Sequence, residues 1–327
     1  MQFNHRTRSA ALAMILGMST SGGALAEVSV VVSSKPIHAL VASVMSGIGT
    51  ADVLVSGAAS PHSYAMKPSD AKKANTADVF FRVSESLEPF TGKLVSSLPK
   101  SVKIVSLAEA PGLMLLERRT GGAFEDHDHG HNHGHSHGKQ AKAKHKHDHD
   151  HDHDEDDPHV WLDPNNAKAM VRHIADVLAE AAPDKATQIR ANADAEIGRL
   201  DTLASELEQQ LKPLAGKPFV VYHDAYQYLE KRYGLQAVGS LTVNPDVTPS
   251  GRRLRDLRRK ITETKAECVF AEPQFEARIT NLIADGTKAR TGTLDPEGTT
   301  LTPGPELYHT LMRNLAEGLK GCLAKGA

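Results

Sequence analysis

The sequence predicts an α/β protein with two four-stranded parallel-sheet (β/α)4 lobes joined by a long rigid helix. Eight short, nearly continuous apolar runs alternate with helical stretches, which is the pattern of buried parallel strands and the helices that cover them. The runs form two sets of four, and the longest helical pattern of the chain separates the sets. We therefore expect an N-terminal lobe at residues 27–183, a linker helix at 184–211 and a C-terminal lobe at 212–327.

The first set of strands and helices lies before residue 108. Its apolar runs predict strands at residues 28–34, 51–56, 77–83 and 103–107. The stretches between them predict helices at about 36–48, 67–74 and 87–97. A further helix at 165–181 is expected to close this lobe.

The linker helix is predicted by its boundaries and by its periodicity. Pro183 precedes it and Pro213 follows it, which are typical start and stop signals. At 1.5 Å per residue such a helix would be about 40 Å long. Two packed helices kinked at Gly198 are the alternative, since a glycine permits a bend at a cost of about 1 kcal/mol. Apolar residues recur three or four positions apart, at Ile189, Ala193, Ile197, Leu200, Leu203, Leu207 and Leu211.

The second set repeats the alternation. Strands are expected at 218–222, 235–241, 267–271 and 290–294, and helices at 225–233, around 252–261, at 276–287 and at 305–319. The second of these helices carries the one basic cluster, at 252–260, and its apolar spacing predicts an amphipathic helix with a solvated basic face. The formal net charge is only −2 and the other basic residues are scattered, which argues against nucleic-acid binding.

A tract from Glu125 to Asp157 holds eleven of the eighteen histidines, mixed with Asp, Gly and Lys. It has almost no apolar residues, so we expect a disordered, mobile loop. Neutral imidazole is the commonest protein ligand for zinc, and the tract therefore predicts weak, exchangeable auxiliary metal sites. A solvated spacer is the alternative. The histidines concerned are His127, His129, His131, His133, His135, His137, His145, His147, His149, His151 and His153.

The first 26 residues have the pattern of a secretory signal peptide. A short basic head precedes an apolar run at residues 10–18, and Ala24-Leu25-Ala26 forms a small-x-small cleavage site. We expect cleavage after Ala26 and export of the mature protein to the periplasm. No later segment is long and apolar enough to predict a transmembrane helix.

Two cysteines, Cys268 and Cys322, are present in the whole chain. In an oxidising compartment such a pair predicts one disulfide, and two separate buried thiols are the alternative. A cysteine-based metal site is disfavoured, because no second pair supports it.

Three histidines outside the tract lie at comparable places. His62 follows the second predicted strand, His159 follows the tract, and His223 ends the fifth strand. Ligands of open α/β sheets gather beyond the carboxyl ends of strands, so these histidines are candidate metal ligands in a cleft between the lobes. For each of them a hydrogen-bonded surface histidine is the alternative. His38 and His173 are predicted to be structural, and His309 to be solvated on the last helix.

Three carboxylates are candidates for supporting roles. Asp295 ends the last strand and is a possible fourth ligand, with a turn cap before Pro296 as the alternative. Asp224 is a candidate hydrogen-bond partner for its neighbour His223, since a ligating imidazole usually donates its other N–H to a carboxylate or carbonyl. Glu272 is predicted to serve lobe packing or hydrogen bonding.

These motifs give the chain a family likeness. Through these motifs and their order along the sequence, the chain resembles the zinc-specific periplasmic binding proteins of bacterial ABC uptake transporters, the metal-binding cluster A-I group. The likeness covers nearly the whole mature chain. The matching pieces are Lys35-Pro36-Ile37, His62-Ser63-Tyr64, Lys67-Pro68-Ser69-Asp70, the His-rich tract, His159-Val160-Trp161-Leu162-Asp163-Pro164, His223-Asp224-Ala225-Tyr226 and Thr293-Leu294-Asp295-Pro296.

The resemblance implies one high-affinity metal site between two lobes and delivery of the metal to a membrane permease with a cytoplasmic ATPase. It implies that the metal ligands are His62, His159 and His223, and it matches Cys268 and Cys322 to a disulfide of zinc-specific members. Zinc members often have an acidic residue before the first histidine, whereas this chain has Pro61. The fourth ligand is therefore open between water and Asp295.

Ligand chemistry favours zinc over manganese, because three imidazoles suit tetrahedral Zn²⁺. We expect a monomeric zinc-binding transport protein and not an enzyme. A secreted zinc hydrolase is one alternative, but no His-Glu-x-x-His motif is present. A zinc buffer or adhesin without a transporter is the other.

Overall fold

The computed structural model describes residues 28–119, 122–124, 156–242, 245 and 247–324. It confirms the predicted architecture of two four-stranded, all-parallel sheets with helices between the strands. Both sheets have the same order of strands, β2-β1-β3-β4 in the first and β6-β5-β7-β8 in the second. Because the connections follow the same plan, the two lobes are topological repeats. The predicted signal peptide and most of the His-rich tract lie outside the described residues.

The first lobe contains four strands and three helices that connect them. Its strands are β1 (Val30–Val32), β2 (Ala51–Val53), β3 (Val79–Arg82) and β4 (Lys103–Ser106), and its connecting helices are α1 (Lys35–Val44), α2 (Pro68–Asn75) and α3 (Phe90–Ser97). Both α1 and α2 have a proline in their first turn, where its missing N–H costs nothing. Strands β1 and β3 are buried, whereas the edge strands β2 and β4 are partly exposed.

The second lobe repeats this plan. Its strands are β5 (Pro218–His223), β6 (Gln236–Thr242), β7 (Cys268–Ala271) and β8 (Arg290–Thr293), and its helices are α6 (Gln227–Tyr233), α7 (Gly251–Thr264), α8 (Ala277–Ala284) and α9 (Leu307–Leu323). Gly234 ends α6 in the left-handed conformation, with a φ of 67° that glycine adopts without a steric cost. The basic cluster of the sequence forms α7, as predicted.

Two long helices lie between the sheets. They are α4 (Pro164–Ala181) and α5 (Ala186–Leu211), and a short 3-10 turn at Pro183–Lys185 separates them. Helix α5 is continuous over 26 residues, so the alternative of two helices kinked at Gly198 is wrong. It does not span a gap as an isolated rod, because six of the seven predicted apolar positions are fully buried and the seventh, Ile197, is partly buried.

One hydrophobic core runs through both lobes. It joins the inner faces of β1 and β3 with those of β5 and β7, and α1, α4, α5 and α9 fill the space between them. The outer face of each sheet packs on a smaller core of its own. Burying apolar side chains contributes about 1.5–3 kcal/mol each, so the shared core opposes independent movement of the lobes.

Polar contacts reinforce this junction at the loop that follows β8. The buried ammonium group of Lys35 donates to the carbonyl oxygens of Gly298 and Thr299, each at 2.7 Å. The Trp161 indole N–H donates to the carbonyl of Pro296 at 2.9 Å. Each of these bonds joins the first lobe to the second.

His309 is not solvated, as the sequence predicted, but almost fully buried. Its Nε2 lies 2.7 Å from Oε1 of the buried Glu196, so this pair connects α9 to α5. The prediction fails because α9 packs against α1 and α5 as well as against β8, which leaves it little exposed surface. No helix among the described residues has the length and apolar character needed to span a bilayer.

The predicted disulfide is confirmed. Cys268 on β7 and Cys322 on α9 are bonded, with their Cα atoms 6.3 Å apart and 54 positions between them in sequence. The bond fastens the last helix to the centre of the second sheet. Because β7 begins at Cys268, the disulfide lies at the amino end of this strand.

We predict that the double variant Cys268→Ala/Cys322→Ala loses about 2–4 kcal/mol of unfolding free energy, because the open chain gains conformational freedom when it unfolds. Urea denaturation of the variant and the oxidised wild type measures the difference. Dithiothreitol should destabilise the wild type similarly and leave the variant unchanged. Equal stability of the oxidised and reduced wild type would contradict the prediction.

Candidate metal centre

The fold brings together the three histidines that the sequence singled out. His62 lies in the turn that follows β2, and His223 is the last residue of β5. His159 is the N-cap residue of a 3-10 turn at Val160–Leu162, directly before α4. Two of the rings come from the first lobe and one from the second. They meet because the carboxyl ends of both sheets face the same cleft.

The three imidazoles form a compact group. One ring nitrogen of each lies within 4.8 Å of the corresponding nitrogen of the other two. The ring centroids are 5.2 Å apart for His159 and His223, 5.4 Å for His62 and His159, and 5.6 Å for His62 and His223. His159 and His223 are buried, and His62 is partly exposed. Within the described part of the chain, this is the one group of three or more His, Cys, Asp or Glu with metal-ligand spacing.

Two carboxylates orient two of the rings. Nδ1 of His159 lies 2.7 Å from Oδ1 of Asp157, and Nδ1 of His223 lies 2.7 and 2.8 Å from the two oxygens of Glu272. A carboxylate only accepts, so each Nδ1 carries the proton and donates it. The lone pair of each neutral ring is therefore on Nε2, and these two Nε2 atoms lie 3.3 Å apart.

His62 completes the group with an unpaired nitrogen. Its Nε2 is buried and has no hydrogen-bond partner among the residues that the structure describes. A buried polar atom without a partner is costly, and it commonly marks the place of an ion or water. Three imidazole rings that converge in this way form a site for a cation, which would displace any proton that His159 and His223 share.

The orienting carboxylates are themselves held in place. The backbone N–H of His159 also donates to Asp157, and Gln227 on α6 donates to its other oxygen at 3.1 Å. Glu272 follows β7, the strand paired with β5, and accepts from the hydroxyl of Tyr226 at 3.3 Å. Both carboxylates are almost fully buried, so each imidazole is fixed by a partner with little freedom.

The electrostatic environment separates two of the histidines. Burial lowers the pKa of His62 well below its ordinary value, and the neighbouring His159, His223 and Arg118 lower it further. Burial also opposes protonation of His223, but the Glu272 carboxylate, together with the charges of Asp224 and Asp157, outweighs it and raises the pKa of His223. When both Nδ1 atoms donate, a hydrogen bond between the Nε2 atoms requires one imidazolium. His223 is the ring whose surroundings favour that charge.

A group of buried acids lies behind the imidazoles. Glu297 is buried, and its pKa is raised well above its ordinary value by burial and then by Glu88, Asp295 and Glu272. Burial likewise raises the pKa of Glu88 to about 7, although the Ser33 hydroxyl and the backbone N–H of Val83 donate to it. The sequence analysis missed both residues, since neither lies at the carboxyl end of a predicted strand beside a histidine.

The group opens toward solvent through a cavity of about 200 Å³. Its walls include His62 and His159, the guanidinium side chains of Arg118 and Arg119, and Pro245 of the second lobe. A small ligand or water can therefore reach the imidazoles from this side without rearrangement of the core.

Asp224 does not support His223, contrary to the prediction from their adjacency. Its carboxylate pairs with the guanidinium of Arg119, which also binds Glu230 at 2.8 and 3.0 Å. Asp224 lies in the bend that follows β5, where its carboxylate is held by Arg119, and it acts on His223 only through its charge, which contributes to the raised pKa of that ring. Glu272 takes the place that was predicted for Asp224.

Asp295 lies outside the group of histidines. Both of its oxygens accept hydrogen bonds, from the backbone N–H groups of Glu297 and Thr299 and from the Thr299 hydroxyl. It thus closes the turn after β8, which is the alternative that the sequence left open. His38 is buried and its Nε2–H donates to the carbonyl of Ala51, and His173 is a partly exposed residue of α4.

The eleven histidines of the tract lie outside the described residues, but the segments that flank it are anchored at this site. Glu117 and Asp156 form an isolated antiparallel bridge, and the N–H of Asp157 donates to the carbonyl of Leu116 at 2.7 Å. The guanidinium of Arg119 stacks over the ring of Phe124 at 4.0 Å. The chain therefore enters and leaves the tract at the mouth of the cavity.

Comparison with known proteins identifies relatives. The family model described as "Zinc-uptake complex component A periplasmic" matches residues 30–322. The high-affinity zinc uptake system protein ZnuA of Brucella suis is 47% identical over 327 residues, with 97% of both chains covered. The protein of that name from Paracoccus denitrificans is 40% identical over 322 residues, with 97% of this chain and 98% of the relative covered.

Solved structures of metal-binding proteins also align with nearly the whole chain. A Zn(II)-bound variant of AdcAII from Streptococcus pneumoniae aligns with a TM-score of 0.68 at 25% identity, over 90% of this chain and 98% of that one. The laminin-binding protein of Streptococcus agalactiae, described as having adhesin and metal transporting activity, aligns with a TM-score of 0.69 at 25% identity. That alignment covers 90% of this chain and all of the neighbour.

We predict that Glu272→Gln lowers the pKa of His223 in the metal-free protein, because the variant removes the charge that outweighs burial. In the wild type, His223 becomes protonated as the pH falls through a value above the ordinary 6.5. In the variant this protonation should occur at lower pH. Histidine NMR titration measures both curves, with Glu276→Gln on the exposed surface as the matched control. An unchanged His223 curve in Glu272→Gln would contradict the assignment.

Proposed function

The chain belongs to the family of periplasmic zinc-uptake components, and we propose that its cleft captures Zn²⁺ through His62, His159 and His223. Members of this family are binding components of uptake systems, so the protein is not an enzyme. It serves high-affinity zinc uptake, and zinc is the cargo that it carries. The partner in such a system is a membrane permease with its cytoplasmic ATPase.

One observation carries the proposal: three imidazole rings from distant parts of the chain converge, with a nitrogen of each within 4.8 Å of those of the other two. Nδ1 of His159 and of His223 is engaged by a carboxylate, and Nε2 of His62 is buried and unpaired. Ligating histidines commonly have this arrangement, in which the outer nitrogen donates to a carboxylate and the inner one binds the metal. The site is thus preorganised for a divalent cation.

The donor set favours zinc. Three imidazole nitrogens with an open fourth position match the four-coordinate geometry that Zn²⁺ adopts, whereas manganese prefers harder oxygen ligands. Because both oxygens of Asp295 accept hydrogen bonds in the turn, we propose that water from the cavity supplies the fourth ligand. Copper and nickel also bind imidazole, so supply in the compartment contributes to selectivity.

Protons compete with zinc for the same nitrogens. The lowered pKa of His62 keeps that ring neutral and available at neutral pH. The raised pKa of His223 means that zinc displaces a proton there, and that competition begins above pH 6.5 as the pH falls. Zinc affinity is therefore highest at neutral or mildly alkaline pH and decreases on acidification.

The two rival functions lack comparable support. A zinc hydrolase needs a general base beside the metal-bound water, and the carboxylate of Glu272, which lies at the site, is occupied by His223. The laminin-binding protein of Streptococcus agalactiae combines an adhesin role with metal transport, so an adhesin role there does not replace transport. We propose delivery to the permease from the periplasm, after removal of residues 1–26, by a protein that acts as a monomer.

We predict that His62→Ala, His159→Ala and His223→Ala each weaken zinc binding by more than about 100-fold, because each removes one of three metal ligands. Titration calorimetry at pH 7.5 measures the affinity. Trp161, the only tryptophan, lies 5.4 Å from the His159 ring and provides a second readout by fluorescence. His173→Ala, on the surface of α4, is the matched control and should bind as the wild type does.

The same variants test the transport function in cells. The wild-type gene should restore zinc-limited growth to a bacterium that lacks its own zinc-binding component, and the three cleft variants should not. Wild-type affinity in any two of the cleft variants would refute the assigned ligands. If the wild-type protein binds zinc but its gene does not restore zinc-limited growth, delivery to a permease is refuted.

We propose a collecting role for the His-rich tract at residues 125–155. Its flanking segments meet at the mouth of the cavity, so zinc held there weakly would be concentrated beside the cleft. Sensing of zinc abundance is the alternative role. In both cases the tract contributes weak sites that are separate from the cleft.

We predict that replacing residues 126–154 by a short Gly-Ser linker removes several weak zinc sites and leaves one tight site. The deletion must retain Asp156 and Asp157, because these residues form the bridge to Glu117 and hold His159. Calorimetry at excess zinc counts the sites. A second protein, which combines the Gly-Ser linker with Asp157→Ala, serves as a comparison, and in it the tight site should also be weakened. Loss of the tight site from the simple deletion would contradict this division.

A further inference from the structure

Helix α7 carries a dense group of positive charges that the zinc site does not use. Its fourteen residues include six basic and two acidic side chains, while the whole protein has a formal net charge of −2. Its apolar face is buried in the outer core of the second lobe through Leu257 and Ile261. The rest of the helix therefore presents a local positive field on a protein whose other residues carry a net negative charge.

Three arginines share the exposed side of this helix. Arg252, Arg255 and Arg259, which we name the α7 basic surface, are spaced three and four residues apart and are all exposed. Asp256 and Glu263 neutralise part of the charge, since Asp256 lies 3.9 Å from Arg252 and 3.0 Å from Arg259, and Glu263 lies 3.7 Å from Arg259. Arg255 has no acidic partner among the described residues. The surface thus keeps an excess of positive charge for an outside partner.

Exposed aliphatic side chains border the same surface. The described residues include three large apolar side chains that are clearly exposed, and two of them are Val247 and Leu282, each 50% exposed. Val247 lies four residues before α7 begins. Leu282 lies on α8, and its carbonyl accepts a hydrogen bond from Arg258 of α7. Exposed aliphatic side chains close to a basic helix are typical of surfaces that enter the headgroup region of a membrane.

The surface begins beside the mouth of the zinc site. Pro245, two residues before Val247, lines the cavity together with His62 and His159. Helix α7 starts at the carboxyl end of β6, the strand next to β5, which ends at His223. A membrane that contacts Val247 and the first turn of α7 would therefore lie next to the opening through which zinc enters and leaves.

We infer that the α7 basic surface, together with Val247 and Leu282, docks on anionic phospholipid. Arginines supply the electrostatic attraction, and the two aliphatic side chains bury apolar area in the headgroup region. The choice of a membrane as partner rests on the proposed function, since zinc is delivered to a membrane permease. Docking would keep the loaded protein at the bilayer with the mouth of its cleft close to the lipid surface.

The test measures sedimentation of the full mature protein with vesicles of equal parts phosphatidylglycerol and phosphatidylethanolamine. Binding is expected at low salt, with a decrease as salt screens the charges, and no binding is expected to pure phosphatidylcholine. The variant Arg252→Gln/Arg255→Gln/Arg259→Gln should lose about 100-fold in vesicle affinity. Val247→Ser/Leu282→Ser should weaken binding without changing its salt dependence.

Two controls separate charge position from net charge and from folding. Lys72→Gln/Lys93→Gln/Lys100→Gln removes the same charge from exposed positions of the first lobe and should bind vesicles normally. The triple Arg→Lys variant of the α7 basic surface keeps the charge and should retain binding. Every variant should bind zinc with wild-type affinity, so failure of zinc capture and failure of membrane docking give different results.

Absence of binding to anionic vesicles at low salt would overturn the inference. So would equal losses in the arginine variant and in the lysine control. If the arginine variant fails to support zinc-limited growth while the wild type never binds vesicles, the surface contacts an acidic protein partner instead, and the lipid inference is wrong.

Discussion

The arrangement of the site depends on where two protons lie. Asp157 and Glu272 each accept the Nδ1 proton of a histidine, and this leaves the Nε2 atoms of His159 and His223 facing one another at 3.3 Å. Without the carboxylates, either ring could take the other tautomer or rotate toward another partner. The two acids thus turn flexible side chains into a preformed set of ligands, and they do so at positions buried from water. The rest of the fold fixes the positions of these two hydrogen-bonded pairs relative to each other.

The relative position of the two pairs has to be maintained between two lobes, since Asp157 and His159 belong to one lobe and Glu272 and His223 to the other. The shared hydrophobic core through α5 makes this possible, because close-packed interiors resist small displacements. The bonds from Lys35 and Trp161 to the loop after β8 act in the same direction. A site that needs nitrogen atoms within a few ångströms of each other is thereby built on a rigid junction. The outer cores, by contrast, hold helices such as α7 against the faces of the sheets that point away from this junction.

The sequence predicts the fold and the converging histidines well, because both follow from local patterns. Apolar runs with a short period identify the strands, and His62 and His223 lie beyond the ends of two of them. Glu272 could not be assigned from sequence, because the pairing of β7 with β5 depends on the order of strands in the sheet. Asp157 could not be singled out from sequence either, because it is one of many acidic residues at the end of the tract. Adjacency favoured Asp224 over both, but its carboxylate pairs with Arg119, a residue distant in sequence whose position could not be predicted from local patterns.

The carboxylates that organise the site also set a limit on how tightly it can hold zinc. A charge that raises the pKa of His223 makes its nitrogen a better ligand for zinc and a better acceptor for protons, so part of the gained affinity is lost to proton competition. His62 has no such partner, and burial with its neighbours lowers its pKa. The site therefore combines one ring that zinc must deprotonate with one ring that is already neutral. Such a combination suits a carrier, which has to bind a scarce ion firmly and still give it up to the next protein.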